Sequence, residues 1–194
     1  LGDKVTVSED FGSTWNDLAT PFGLTESVNY ATIAENNSDN IVVTRGNQIK
    51  LSVDGGITFT SIESNLPNNY ITDVAFDPNN DDIIIVTYGS YNGNNNKVYV
   101  TYDQGNTWQN ITYNLGYLPV RSVVIDHSEN STIYIGTEIG VYKKSMSANS
   151  WELYSQGLPN MSILELEIIY GSNTLKFDTW ARGLWEYSFD GRLE

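Results

Sequence analysis

The sequence predicts an all-β fold, a β-propeller of four-stranded antiparallel blades, and three observations carry that prediction. One eight-residue phrase, here called the box, occurs as Ser8-Glu9-Asp10-Phe11-Gly12-Ser13-Thr14-Trp15, Ser52-Val53-Asp54-Gly55-Gly56-Ile57-Thr58-Phe59 and Thr101-Tyr102-Asp103-Gln104-Gly105-Asn106-Thr107-Trp108. Its grammar is a hydroxyl, any residue, Asp, any residue, Gly, any residue, Thr and an aromatic. The closing aromatics Trp15, Phe59 and Trp108, with Trp151 as a fourth, stand 44, 49 and 43 residues apart, an interval that belongs to solenoids and propellers. Between boxes lie only short runs rich in Val, Ile, Tyr and Thr, punctuated by Asn, Pro and Gly, and nowhere the period of an amphipathic helix. Four strands in about 45 residues make one propeller blade.

Named A to D from the axis outward, the strands fall in a fixed order. Strand A is predicted at Val28 to Ile33, Ile71 to Phe76, Val120 to Ile125 and Ile163 to Ile168, and strand B at Asn40 to Thr44, Asp82 to Thr87, Thr132 to Thr137 and Thr174 to Thr179. Strand C runs into each box and strand D leaves it, as at Trp15 to Ala19 and Thr58 to Glu63. The chain then divides into a partial blade at 1–20, blades at 21–64, 65–113 and 114–156, and an incomplete blade at 157–194. An Asn/Gly insertion, Gly89 to Asn96, lengthens the second full unit. Two further boxes are degenerate: Lys143 to Trp151 keeps the aromatic and loses Asp and Gly, and Ser188-Phe189-Asp190-Gly191 begins a box without the strand that should follow. These about four blade equivalents are expected to be part of a larger propeller of roughly six to eight blades. Uncovered sheet faces of such a piece would favour self-association.

Composition narrows the partners. Ten Lys and Arg against 24 Asp and Glu give a net charge of -14, which repels phosphate backbones and anionic membranes, so nucleic acid is a poor partner. No run is long and apolar enough to insert in a bilayer. With no cysteine and one histidine, His127, thiolate sites, His metal clusters and a serine-histidine triad have no material. No metal site or cofactor is expected, with one alternative: the run Asp77-Pro78-Asn79-Asn80-Asp81-Asp82 resembles an oxygen-rich calcium loop, yet lacks the glycine and distal Glu of an EF-hand. His127 takes the place of Pro78 in the equivalent turn and reads as a turn residue. The 22 asparagines, 16 glycines and 13 tyrosines suit short strands joined by tight turns, in a chain read as a bacterial protein exported to the cell surface or beyond.

Within each box the Asp (Asp10, Asp54, Asp103) is expected to accept amide hydrogen bonds just downstream, and the Gly (Gly12, Gly56, Gly105) to take a positive φ. The aromatic (Trp15, Phe59, Trp108) should pack on the neighbouring sheet. On this reading the box is a hairpin staple and not a catalytic device. The three boxes resemble Asp-box, or BNR, repeats of the sialidase superfamily. Gly157-Leu158-Pro159, Asp77-Pro78-Asn79-Asn80 and Ala181-Arg182-Gly183-Leu184-Trp185-Glu186 make the likeness greatest to its xyloglucanase-like and sortilin-like branch. The resemblance implies a propeller and leaves enzyme, receptor and assembly roles open.

In that superfamily ligands bind the face formed by the B-to-C and D-to-A connections, opposite the boxes. The B-to-C candidates are Arg45, Tyr88, Tyr91, Glu138, Trp180 and Arg182, and the D-to-A candidates are Phe22, Glu26, Asn69, Tyr70, Tyr117, Arg121 and Asn160. Of these, Arg45, Tyr88, Tyr91, Trp180 and Arg182 are the chosen ligand-binding set, because rings stack on sugar C–H groups while guanidinium and amide groups pair with hydroxyls. The alternative for Trp180 is packing that closes the last blade, and for Arg45 and Arg182 a solvated turn. Asp73, Glu138 and Glu165 are the candidates for an acid and base pair, although strand A residues also tie neighbouring blades. The expected function is a binding and structural module for a glycan or protein ligand in a polysaccharide-processing or cell-surface protein. A glycoside hydrolase completed by further blades, and a sortilin-like protein-binding propeller, are the alternatives.

Overall fold

Short β-branched runs broken by Asn, Gly and Pro can bury backbone only by pairing side by side, and the chain does so in five antiparallel sheets. The computed structural model describes residues 5–23, 27–91, 95–154 and 159–189. Strands β1 (Thr6–Val7) and β2 (Asn16–Asp17) form a two-stranded sheet. Sheet one follows with β3 (Tyr30–Ala34), β4 (Asn37–Arg45), β5 (Gln48–Ser52) and β6 (Thr60–Ser61), and sheet two with β7 (Ile71–Asp77), β8 (Asn80–Tyr88), β9 (Val98–Thr101) and β10 (Gln109–Asn110). Sheet three holds β11 (Val120–Ile125), β12 (Thr132–Thr137), β13 (Gly140–Ser145) and β14 (Glu152–Leu153), and sheet four β15 (Ile163–Ile169), β16 (Thr174–Thr179) and β17 (Gly183–Ser188). Sheets one to three run A, B, C, D in hairpin order and sheet four A, B, C, the layout of propeller blades. Strands A to C lie within a few residues of their predicted places. Strand D is shorter than expected, two residues in each case; in sheets one and two the box holds Thr58 and Thr107 on Asp54 and Asp103 and so delays entry into the ladder.

Blades join face to face through three apolar seams. Val42, Ile49 and Leu51 of sheet one meet Val74, Phe76, Ile84 and Val86 of sheet two. Ile85, Val98 and Val100 meet Val123, Ile133, Ile135 and Trp151, and Tyr134 and Val141 meet Leu166, Leu175, Phe177 and Tyr187. Neighbouring residues of β8 thus serve opposite seams, Ile84 and Val86 one and Ile85 the other. That is why strand B reads as a continuous apolar run with no alternation. Each fully buried Ile, Val or Phe contributes about 1.5–3 kcal/mol before chain entropy is set against it.

The outer face of sheet four breaks the pattern. At the registers where Thr32, Ala75 and Val124 stand in the other A strands, β15 has Glu167, and where Val42, Ile85 and Tyr134 stand in the B strands, β16 has Lys176. Glu165, Asp178, Leu184 and Glu186 complete this face, with Lys176 and Glu186 3.7 Å apart. Self-association through uncovered faces therefore finds no apolar ground here, since burying these charges would cost more than one exposed leucine returns.

The three boxes close alike. Asp54 Oδ1 accepts from Thr58 N (2.9 Å) and Ser52 Oγ (2.7 Å), and its Oδ2 from Thr58 Oγ1 (2.7 Å). Asp10 repeats this with Thr14 and Ser8, and Asp103 with Thr107 and Thr101. The hydroxyl in turn accepts the glycine N–H, as Thr101 Oγ1 does from Gly105 at 2.8 Å. Gly12, Gly56 and Gly105 take φ of +86°, +84° and +85°. Hydrogen bonds from the Thr58 side chain first, then its backbone, hold the Asp54 carboxyl down at about 2, and Asp10 and Asp103 are also lowered.

In the degenerate fourth box Lys144 pairs with Ile133 at the register where Thr101 pairs with Ile84. It is buried, donates from Nζ to the carbonyls of Ser145 (2.9 Å) and Met146 (3.0 Å), and lies over the rings of Trp151 and Tyr113. An ammonium on carbonyls replaces a carboxylate on amides. On the same side of the propeller, Asp77 and Asp81 of the acidic run bind Asn79 N and Asn40 Nδ2, and no three acid or His side chains converge among the described residues. His127 lies in the predicted turn, 2.7 Å from Glu35 and stacked on Tyr170 at 4.2 Å. The A-to-B turns of sheets one, three and four therefore meet below a cavity of about 210 Å³ lined by all four A strands.

Candidate functional site

Strand A carries a register slip near its start in sheets two to four, between Ile71 and Asp73, Val120 and Ser122, and Ile163 and Glu165. Such a bulge frees one residue from the ladder and re-aims its side chain. The freed residues are Thr72, Arg121 and Leu164, on the face opposite the boxes.

Arg121 is the centre of the constellation there. Its Nη2 donates to Glu138 Oε1 at 2.7 Å and lies 3.4 Å from the Tyr91 hydroxyl, which itself donates to Glu138. Glu138 comes from the B-to-C turn of sheet three and Tyr91 from the B-to-C insertion of sheet two. Beside them Arg121, Glu138, Ser162, Leu164 and Trp180 line a cleft of about 350 Å³. The Trp180 backbone N–H is fixed to Ser162 O at 3.0 Å, while its side chain is 72% exposed. An exposed indole thus stands over an apolar floor, across from a fixed set of polar groups.

Electrostatics assign the protons. The bond to Glu138 raises the Tyr91 phenol, and the same carboxylate raises Arg121. Burial alone would raise Glu138, but the bonds from Tyr91 and Arg121 outweigh it and hold the carboxyl below its ordinary range. Tyr91 therefore stays a phenol and Glu138 a carboxylate, a poor nucleophile and a poor general acid. Fixed donors and acceptors of this kind suit recognition of hydroxyl groups.

The other expected site residues are scattered. Tyr88 requires correction: it is fully buried in the first seam, edge-on to Tyr99 at 5.9 Å, and offers no surface to a ligand. Arg45 reaches Gln48 across its own turn at 3.5 Å in sheet one, and Arg182 is exposed, its carbonyl accepting from Trp185 Nε1 at 3.1 Å. Tyr70 and Tyr117 are exposed, whereas Phe22 lies under Lys50. Glu26, Asn92, Asn94, Gly157 and Leu158, and the Asp190 and Gly191 of the last box, lie outside the described residues.

The three acidic candidates occupy three different settings. Asp73 is tied across the second seam, its Oδ2 accepting Val123 N and its Oδ1 Val74 N, both at 2.8 Å. Ser122 makes the equivalent tie to Leu166 N at 3.0 Å. Glu165, at the same register, faces outward from sheet four, and only Glu138 lines the cleft. Burial pushes the Asp73 carboxyl up to about 6 against the pull of those amides. A carboxyl raised on folding stabilises fully below its unfolded value of 3.8 and loses that contribution as pH rises through about 6. Between those values the stability of Asp73→Asn should fall less than that of the parent, as urea midpoints at pH 4, 5 and 6 will show; parallel profiles would refute the assignment.

Sequence reasoning had placed Tyr91, Glu138, Trp180 and Arg121 on one face without bringing them together. The bulge at Arg121 does so, and its only sequence signal is a long charged side chain second in an A strand that is apolar apart from it and Ser122.

A family model described as Sortilin-Vps10 (sortilin, neurotensin receptor 3) matches residues 3–156. No match is found among curated proteins. Among solved structures, a GH74 enzyme from Niastella koreensis is 20% identical with a TM-score of 0.72, over 97% of this chain and 33% of that one. The extracellular domain of BT4673 from B. thetaiotaomicron is 20% identical with a TM-score of 0.67, over 92% and 23%. An auxiliary nutrient binding protein from Bacteroides thetaiotaomicron is 12% identical with a TM-score of 0.66, over 86% and 40%. At these identities the likeness is one of fold, and the chain spans two fifths or less of each.

Proposed function

The chain belongs to the Sortilin-Vps10 family, and we propose that it is a ligand-binding propeller segment of an exported protein, its ligand a neutral glycan held in the Trp180 cleft. The observation that carries this reading is the Tyr91–Glu138–Arg121 constellation beside the exposed Trp180. A sugar ring laid on Trp180 buries its C–H face, while its hydroxyls donate to Glu138 and accept from Arg121. Hydrolysis would need a second carboxylate across the same cleft, and Asp73 and Glu165 are engaged elsewhere. A polysaccharide-related role suits the GH74 and nutrient-binding neighbours, and export suits the neighbour that is an extracellular domain. No helix among the described residues is long and apolar enough to cross a membrane. Asp-box identity for the three boxes and a larger whole propeller belong to the same proposal.

A second reading, a peptide or protein ligand on this face, is favoured by the family match itself. A glycan array, followed by calorimetry with the best-bound glycan, separates the two. Trp180→Ala and Arg121→Ala should each weaken glycan binding about tenfold or more, roughly 1.4 kcal/mol, and Tyr91→Phe somewhat less. Undiminished binding in all three variants would dismiss the cleft, and an array on which the parent binds nothing would favour the protein ligand.

A further inference from the structure

The bulge that aims Arg121 is held from outside its own sheet. Thr72, freed by the slip in β7, donates from Oγ1 to the carbonyl of Val120 at 2.7 Å, across the seam between sheets two and three. The next residue, Asp73, accepts the N–H of Val123 at 2.8 Å. Two consecutive residues of β7 thus grip β11 on either side of its slip, one at the peptide that leads into Arg121 and one just beyond it. A carbonyl fixed in space fixes the plane of its peptide, and that plane sets the direction in which the bulged residue leaves the backbone.

Thr72 has one hydroxyl proton, and a carbonyl can only accept. The 3.0 Å contact between Thr72 Oγ1 and Thr87 Oγ1 is therefore donated by Thr87, which is fully buried, and the two hydroxyls form a relay ending on Val120 O. The methyl group of Thr72 has its own task. A Cβ on Gly89 would stand 2.8 Å from Thr72 Cγ2 and 3.4 Å from Val120 O, so the chain leaving β8 toward Tyr91 passes directly over the clamp. At the next seam one such tie is present, Ser122 Oγ accepting Leu166 N at 3.0 Å. Arg121 stands there in the place of Thr72, and its guanidinium turns to Glu138 at 2.7 Å.

We propose that Thr72 is the positioning residue of the Trp180 cleft: its hydroxyl holds the Val120–Arg121 peptide so that the guanidinium meets Glu138 and Tyr91 before any ligand arrives. Its value for binding rests on the reading of that cleft as the ligand site, whereas the clamp itself does not. A guanidinium placed in advance loses little further freedom when a ligand docks. The two features of threonine are separable, since serine keeps the hydroxyl and valine keeps the shape.

Thr72→Val and Thr72→Ser, compared with the parent in the absence of ligand, test the assignment. Asp73 keeps its grip in both, so the seam should stay closed. Arg121 Nε is buried, and its N–H exchange measured by NMR should be slow in the parent, about tenfold faster in Thr72→Val and parental in Thr72→Ser. The Tyr91 phenol, raised by its bond to Glu138, should titrate nearer its ordinary value in Thr72→Val alone, as ring-labelled tyrosine will report. A folded Thr72→Val chain with parental Arg121 exchange and Tyr91 titration overturns the proposal, as does a Thr72→Ser chain loosened as far as the valine variant. Should Thr72→Val fail to fold, Gly89→Ala takes its place, because the new Cβ displaces the Thr72 methyl group; it must loosen both signals, and parental signals overturn the proposal equally. None of these readouts needs a ligand, so a glycan array that dismissed the cleft would leave them standing.

Discussion

Trp151→Ala is expected to cost the chain about 3–5 kcal/mol, the range for emptying a buried large aromatic site. Trp151 is 3% exposed in the seam between sheets two and three, and its indole donates to Ile111 O at 2.8 Å. Asn114 grips its backbone on both sides, accepting from Trp151 N at 2.7 Å and donating to Trp151 O at 3.0 Å. Truncation would leave a void that this fixed backbone cannot collapse into, an unpaired buried carbonyl, and Lys144 without the ring beneath its ammonium. Because domains of this size hold only about 5–15 kcal/mol in total, the variant should unfold at far lower denaturant. Trp151→Phe separates the parts, losing the hydrogen bond, about 1 kcal/mol, and little of the packing. Equilibrium urea unfolding measures both, and a Trp151→Ala midpoint equal to that of Trp151→Phe would refute the packing account.

Gly105→Ala is expected to cost about 3 kcal/mol through two separable effects. An L side chain at φ +85° is strained by roughly 1–2 kcal/mol, and the new Cβ would stand 2.5 Å from Ile62 Cβ and 2.8 Å from its Cδ1, an overpacking of about 1–3 kcal/mol. Gly12→Ala is the internal control. It shares the backbone strain, with φ +86°, but meets only Trp15 at 3.7 Å, so it should pay the first cost alone. Equal losses in the two variants, measured by the same urea titration, would show that the seam at Ile62 yields freely.

The sequence was most informative where backbone chemistry repeats. Box geometry follows from residues four apart, and strands A to C follow from β-branched runs whose two faces are both buried, so each was legible without knowledge of the whole. Strand D was read too long because the hydrogen bonds from Thr58 and Thr107 to Asp54 and Asp103 hold the chain off the ladder, which no propensity records. Tyr88 was misplaced for a simpler reason. It still belongs to β8, where each step of one residue reverses the side chain, and it points into the seam while Tyr91, three residues on, reaches the cleft. The site itself was half legible. Tyr91 and Trp180 stand out as aromatics in polar turns, but the meeting of Arg121 with Glu138 and Tyr91 depends on a bulge and on the spacing of two blades. His127 with Glu35 is a contact across 92 positions of chain, beyond any local signal.

Modular arrays whose every face is greasy can add copies of themselves without limit, and a heterologous contact that does not close into a ring grows into a fibre. The outer face of sheet four, with Glu165, Glu167, Asp178 and Glu186 around Lys176, removes one of the two surfaces that such growth requires. Head-to-tail stacking on this face is thereby opposed by charge, as polar faces keep solenoid repeats in solution. Concentrated solutions of this protein should accordingly remain free of filaments, and Glu167→Val combined with Lys176→Val, which gives sheet four apolar residues like those at the same registers of sheet three, should make them prone to form.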